Sequence, residues 1–305
     1  MTYTFTGDFM KQTFLNKRHL KKPFFEGWYY KNVTATQDYS IALIPGRTKA
    51  GAFIQMIDRT CSYYIPYALE DCSFQENEVR IGDNVFTPNR IQLSIVGEIT
   101  VIGELWYQDF TPIRKTWYAP TIMGPFSYFP MQCVHGILSL HHLIQGTLTV
   151  NGVSHCFDQG LGYLEKDHGS SFPREYVWCQ GSDVETSFFF SNAHIPVGCF
   201  SFSGTIAILW TGKKEYRFAS YYGCRTRIKE QKQKTIIEVK SGRRFLKITY
   251  PWKEGRSLIA PQIGEMKRFM KETIDVPITI SLYKNHHLLF QKELLGSVEQ
   301  VKSEL

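Results

Sequence analysis

The sequence predicts an all-β protein built from antiparallel barrels or sandwiches. Three observations carry that reading. Short runs of β-branched and aromatic residues recur at hairpin spacing, glycine-bearing turn pairs separate them, and the crossover helices of a parallel sheet are missing. Aromatic residues make up 15% of the chain, with Tyr and Phe well ahead of Trp, a balance that favours strands and apolar ligand cavities. At 305 residues the chain has room for two domains, and two β halves flanking a central stretch are expected.

Residues 1–22 form a segment of their own. Lys11, Lys17, Arg18, Lys21 and Lys22 face a single acid, Asp8, while Phe5, Phe9, Met10 and Phe14 recur at roughly helical spacing. Such a segment is either a strap packed on the body or a peripheral contact with an anionic membrane surface.

From Pro23 the pattern is β. In PFFEGWYYKN, alternation puts Glu26, Trp28 and Tyr30 on one face and Phe25, Tyr29 and Lys31 on the other. Further strands are expected at 39–44, 52–57, 78–81, 90–95 and 99–107, with Gly82-Asp83 and Gly97-Glu98 as turns. Residues 118–130, YAPTIMGPFSYFP, read as an aromatic loop. LIQGTLTV at 143–150 alternates cleanly, and Asn151-Gly152 supplies a hairpin turn. The second half repeats the style at 186–192, 199–210, 214–220, 235–240 and 244–250, with the cationic run 225–234 expected as a solvated edge. One helix is expected late: Pro261 opens it, Ile263, Met266, Met270 and Ile274 form its apolar stripe, and Pro277 follows its end.

Composition narrows the function. A net charge of +7 is too mild to mark a nucleic-acid binder. Seven cysteines without a C-x-x-C pair fit reduced thiols better than zinc or a disulfide framework. No run of eighteen apolar residues and no apolar signal core occur, so a cytoplasmic protein is expected. Nucleophile elbows and phosphate loops are missing, and the adjacent pairs His141-His142 and His286-His287 diverge on strands. Nothing in the spacing asks His135 and His142 to meet. No metal and no other cofactor is expected.

Acids in aromatic company remain. The central stretch 160–182, GLGYLEKDHGSSFPREYVWCQGS, carries Glu165, Asp167 and His168 among Phe172, Tyr176 and Trp178. It is expected to join two folded units and line a cleft. A carboxyl held in an apolar pocket stays protonated near neutral pH and acts as a general acid, and nearby aromatic faces stabilise developing positive charge. That combination suits protonation of an alkene. The competing reading pairs Glu26, Glu165 and Asp167 with Lys31, Lys166 or Arg174 as structural bridges.

PFFEGWYYK at 23–31, GPFSYFPMQCVHGILSLHH at 124–142, GLGYLEKDHGSSFPREYVWCQ at 160–180 and LIAPQIGEMKRFMKETID at 258–275 together resemble the tocopherol cyclase-like family. The resemblance implies two consecutive lipocalin-like β-barrels, at 23–171 and 172–305, and closure of a prenylated quinol, or a related addition to another isoprenoid. Carried over, Glu165 or Asp167, with His168 or Glu26 as partner, delivers the proton, and Trp28, Tyr30, Phe172 and Trp178 line the prenyl slot. The chain departs from the family pattern at His168, where a tryptophan is expected, and at Ser182, where an asparagine is. The alternative is a carrier of an apolar small molecule that needs the cavity but not the acids.

Overall fold

The computed structural model describes residues 23–197 and 200–302; the N-terminal segment 1–22, with its strap and membrane readings, lies outside them. The described residues are almost entirely β, in two antiparallel sheets. Two compact units result. Among the described residues, one comprises 23–172 together with Leu258–Phe269, the other those of 173–257 and 270–302.

The first sheet contains β1 (Phe25–Val33), β2 (Ser40–Thr48), β3 (Ala52–Asp58), β4 (Ser62–Tyr67), β5 (Cys72–Gln75), β6 (Glu78–Ile81), β7 (Asn84–Thr87), β8 (Arg90–Ile95), β9 (Val101–Gln108), β10 (Cys133–Val150), β11 (Val153–Cys156) and β12 (Gly160–Gly169). Its order is β4-β3-β2-β1-β12-β10-β9-β8-β7-β6-β5, with β11 on β10. Alternation drives one face of every long strand inward: Trp28, Tyr30, Leu43, Met56, Phe86, Ile91, Leu105, Ile144 and Leu164 share one core. The sheet curls over that core. Tyr30 of β1 donates to the Thr87 carbonyl of β7 at 3.0 Å, and the Arg47 guanidinium of β2 lies 4.4 Å from the Phe74 ring centroid of β5. The hydrogen-bonded order ends at β4 and β5, which the short 3-10 turn Leu69–Asp71 connects. Asn151 and Gly152 take the positive φ of a tight hairpin turn.

The second sheet holds β13 (Tyr176–Ser182), β14 (Ser187–Val197), β15 (Phe200–Trp210), β16 (Glu215–Ala219), β17 (Arg225–Gln231), β18 (Lys234–Ser241), β19 (Arg244–Pro251), β20 (Arg256–Gln262), β21 (Glu265–Lys284) and β22 (His287–Val301). The order is β16-β15-β14-β13-β22-β21-β19-β18-β17, with β20 on β21. Val177, Cys179, Phe188, Phe190, Ile237, Ile248, Ile278 and Val298 fill its core. The cationic β17 is the mostly exposed last strand.

One expectation is corrected here. The late helix does not form: 258–275 is β20, a turn at Ile263-Gly264 with φ of 52° and 76°, and the start of β21. Met266, Met270 and Ile274 are four apart, a spacing that suits a helical stripe and one face of a strand equally. The exposure of Glu265, Lys267, Phe269 and Lys271 between them is the period of a strand. The central stretch 160–182 does pass from one unit to the other, at Phe172–Pro173, and it does so as strands: it supplies β12 and β13, each an interior strand of its sheet. No helix among the described residues is long and apolar enough to cross a membrane, and no disulfide joins the described cysteines.

Candidate acid–base site on the outer face of the first sheet

β12 runs between β1 and β10 and sorts the charged residues of its sequence onto two faces. Leu164 enters the core, so Gly162, Lys166 and His168 alternate to the inner face and Tyr163, Glu165 and Asp167 to the outer one. The register sets His135 of β10 directly opposite Asp167, and Ile137 opposite Glu165.

On the outer face His135 bridges two carboxylates. Its Nδ1 lies 2.8 Å from Asp167 Oδ1, and its Nε2 lies 3.5 Å from Glu165 Oε2. The Tyr163 hydroxyl donates a short hydrogen bond to Glu165 Oε2, and Tyr29 packs edge-on against Tyr163. Glu165 is buried, 5% exposed. Burial alone would lower the His135 pKa, but Asp167 and then Glu165 more than offset it and raise it to about 9. The imidazole is therefore a cation at neutral pH. Burial and the adjacent Glu165 push the Tyr163 hydroxyl well above its ordinary range, and burial with Asp167 does the same to the Cys133 thiol. On β1 the residue opposite Asp167 is Gly27, so that strand places no side chain over the carboxylate.

On the inner face Glu26 is occupied. Lys166 Nζ meets its Oε1 at 2.7 Å and Arg47 Nη2 its Oε2 at 2.7 Å, with Lys166 over the Trp28 ring. Desolvation lowers the Lys166 pKa against the pull of Glu26. This is the structural-bridge reading realised, for Glu26 and Lys166. Farther along, Tyr107 donates to Asn32 at 2.8 Å, and buried His142 packs against the rings of Tyr107 and Phe110. Burial, with His141 adding to it, drops the His142 pKa to about 3.

The structure thus joins Glu165 and Asp167 but separates them from Glu26, which lies across the sheet with Trp28 and Tyr30. His168 is Glu26's register partner and alternates to its face, so neither Glu26 nor His168 serves as the partner expected for Glu165. Phe172 packs on Phe25, centroids 5.2 Å apart. Trp178 is buried in β13 of the second unit. His135 and His142 lie on opposite faces: their register partners on β12, Asp167 and Gly162, are an odd number of residues apart. The residues that sequence reasoning missed are His135, Tyr163 and Arg47. Tyr163 alone carried a local signal, two places from Glu165 on a strand.

His135, Glu165 and Asp167 present donor atoms within 4.8 Å of one another, a set with the chemistry for a divalent cation. Holding a metal would require the imidazole to be neutral, whereas both of its nitrogens face carboxylates that favour the cation. The same three side chains can hold a proton or, with the imidazole neutral, a divalent cation.

No protein-family model matches the chain, and no curated protein does. Solved structures do. The chain is similar to CghA with Sch210972 (TM-score 0.60, 9% identity, 92% of this chain and 88% of that one). It is also similar to an AttH candidate, NE1406, from Nitrosomonas europaea (0.54, 13%, 92% and 93%). A third neighbour is kievitone hydratase from Nectria haematococca (0.52, 13%, 92% and 89%). At these identities the likeness shows the fold, a lipocalin-like all-β architecture.

Proposed function

We propose that this chain is an enzyme that adds an oxygen nucleophile across a double bond of an apolar substrate by acid–base catalysis. The carrying observation is the His135 ring, held between the carboxylates of Asp167 and Glu165. A hydroxyl of the substrate gives its proton to the Glu165 carboxylate while its oxygen bonds to one alkene carbon. The other alkene carbon takes the proton from His135 Nε2. The product is an isomer, and the proton returns from Glu165 to His135 across the 3.5 Å between them. Asp167 orients the ring through Nδ1, and Tyr163 fixes the carboxylate. With water as nucleophile, the same steps are a hydration.

Two further observations support this reading. Among the fold neighbours one is a hydratase and another was solved with a small molecule, Sch210972. The tocopherol cyclase-like resemblance favours a prenylated quinol, and closure to a chromanol is the specific reaction proposed. Phe25, Tyr29 and Phe172 then contact the substrate on the outer face, in place of Trp28 and Tyr30, which belong to the core.

The test is conversion of a prenylated hydroquinone, followed by mass spectrometry and chromatography, in the native chain and in His135→Gln, Glu165→Gln and Asp167→Asn. His135→Gln and Glu165→Gln are expected to lower kcat by about 100-fold or more with unchanged circular dichroism. Full turnover in His135→Gln ends the assignment. A substrate that binds and is recovered unchanged from the native chain marks a carrier instead.

A further inference from the structure

Gln180 sits in the middle of β13. Val177 and Cys179 enter the core of the second unit, so Tyr176, Trp178 and Gln180 alternate to the opposite face. Its cross-strand neighbours there are Phe189 and Ser297, both fully buried, and Gln180 itself is 1% exposed. Neither its amide nitrogen nor its amide oxygen has a hydrogen-bond partner among the described residues. On the same face Tyr176 donates to Glu299 at 2.9 Å and meets Met270 Sδ at 3.1 Å. Glu299 stands opposite both Trp178 and Glu272 in the ladders.

A primary amide offers two donors and an acceptor, and burying it with all of them unmade is costly. A leucine of similar size would fill the position without that cost. We propose that Gln180 is the polar anchor of a ligand site on this face of the second unit. Its ligand carries a neutral group with a hydrogen-bond donor beside an acceptor, a cyclic amide or hydroxy-carbonyl edge, laid against the Trp178 indole. The donor meets Oε1 and the acceptor meets Nε2, a two-point match that satisfies both halves of the amide. Neutrality follows from the match itself: a carboxylate offers acceptors only and would leave Oε1 unmet. The proposal does not rest on the acid–base reading of the first unit.

The experiment is calorimetric titration of the full chain with 2-quinolone, N-methyl-2-quinolone and benzoate, in the native protein and in Gln180→Leu. Native protein is expected to bind 2-quinolone at least tenfold more tightly than the N-methyl compound, whose donor is blocked, and to bind benzoate more weakly still. Gln180→Leu is expected to lose that preference while its thermal midpoint, without ligand, stays equal to or above that of the native chain. Equal binding of the two quinolones, no saturable binding of either, or a preference that survives in Gln180→Leu overturns the proposal. So does a lowered midpoint in Gln180→Leu, which would make Gln180 a structural hydrogen-bonding residue.

Discussion

Two charged residues of the first sheet, one on each face, have opposite fates. His135 gains two carboxylate neighbours, and its pKa rises from 6.5 to about 9. A group whose folded pKa is raised contributes stability that is complete below the unfolded value and is lost as pH climbs through the folded one. The chain should therefore lose on the order of 3 kcal/mol between pH 6.5 and pH 9 from this group, and His135→Gln should flatten that slope in urea unfolding at pH 6, 7.5 and 9.5. Catalysis by the imidazolium should fade over the upper part of the same window. Glu26, in contrast, is 1% exposed and lies between Lys166 and Arg47. Glu26→Gln leaves two buried cations without their counter-charge and should cost about 3 kcal/mol or more, without moving the pH profile of turnover. A shifted profile would place Glu26 in the chemistry after all.

Strands decide which of these groups meet. β12 carries both sets of charges and distributes them by alternation, which was readable in YLEKDHG once the segment was known to be a strand. The partner of Asp167 was not readable, because His135 lies 32 residues away and only the β10–β12 register aligns them. A second element-level link ties β3 to a distant segment: Gln55 accepts from the Ile259 amide at 2.7 Å and donates to its carbonyl at 2.9 Å. Gln55→Ala removes both partners and should destabilise the fold by about 2 kcal/mol, read as a shift in the denaturation midpoint at unchanged m-value. Gly162 leaves room for the His142 ring, whose Nε2 stands where a Cβ would crowd it. Gly162→Ala must displace that ring from its place against Tyr107 and should lower the thermal midpoint by several degrees.

At the scale of the molecule, the first unit is not continuous in sequence. Leu258–Phe269 returns to it from late in the chain, with Pro261 accepting from Phe172, Ile263 donating to the Ser171 hydroxyl and Gly264 donating to Ser170. Residues 23–172 expressed alone leave those groups and the face of β3 without their cover. They should be markedly less cooperative in thermal unfolding than the same residues supplied with a 256–270 peptide. Equal unfolding curves would show that the returning segment is dispensable.

Local pattern settled the all-β class, most strand positions, the hairpin turns and the inward face of β1, since alternation and turn chemistry act between residues close in the chain. It misassigned 258–275, where a four-residue apolar spacing satisfies helix and strand alike and only the pairing of β20 with β21, and of Glu272 and Thr273 with β22, favours the strand. Partnership among ionisable groups came from the folded sheet alone. Whether an acid bridges a cation or clasps a histidine depends on which strand lies beside it, and hydrogen-bond register across distant segments fixes that.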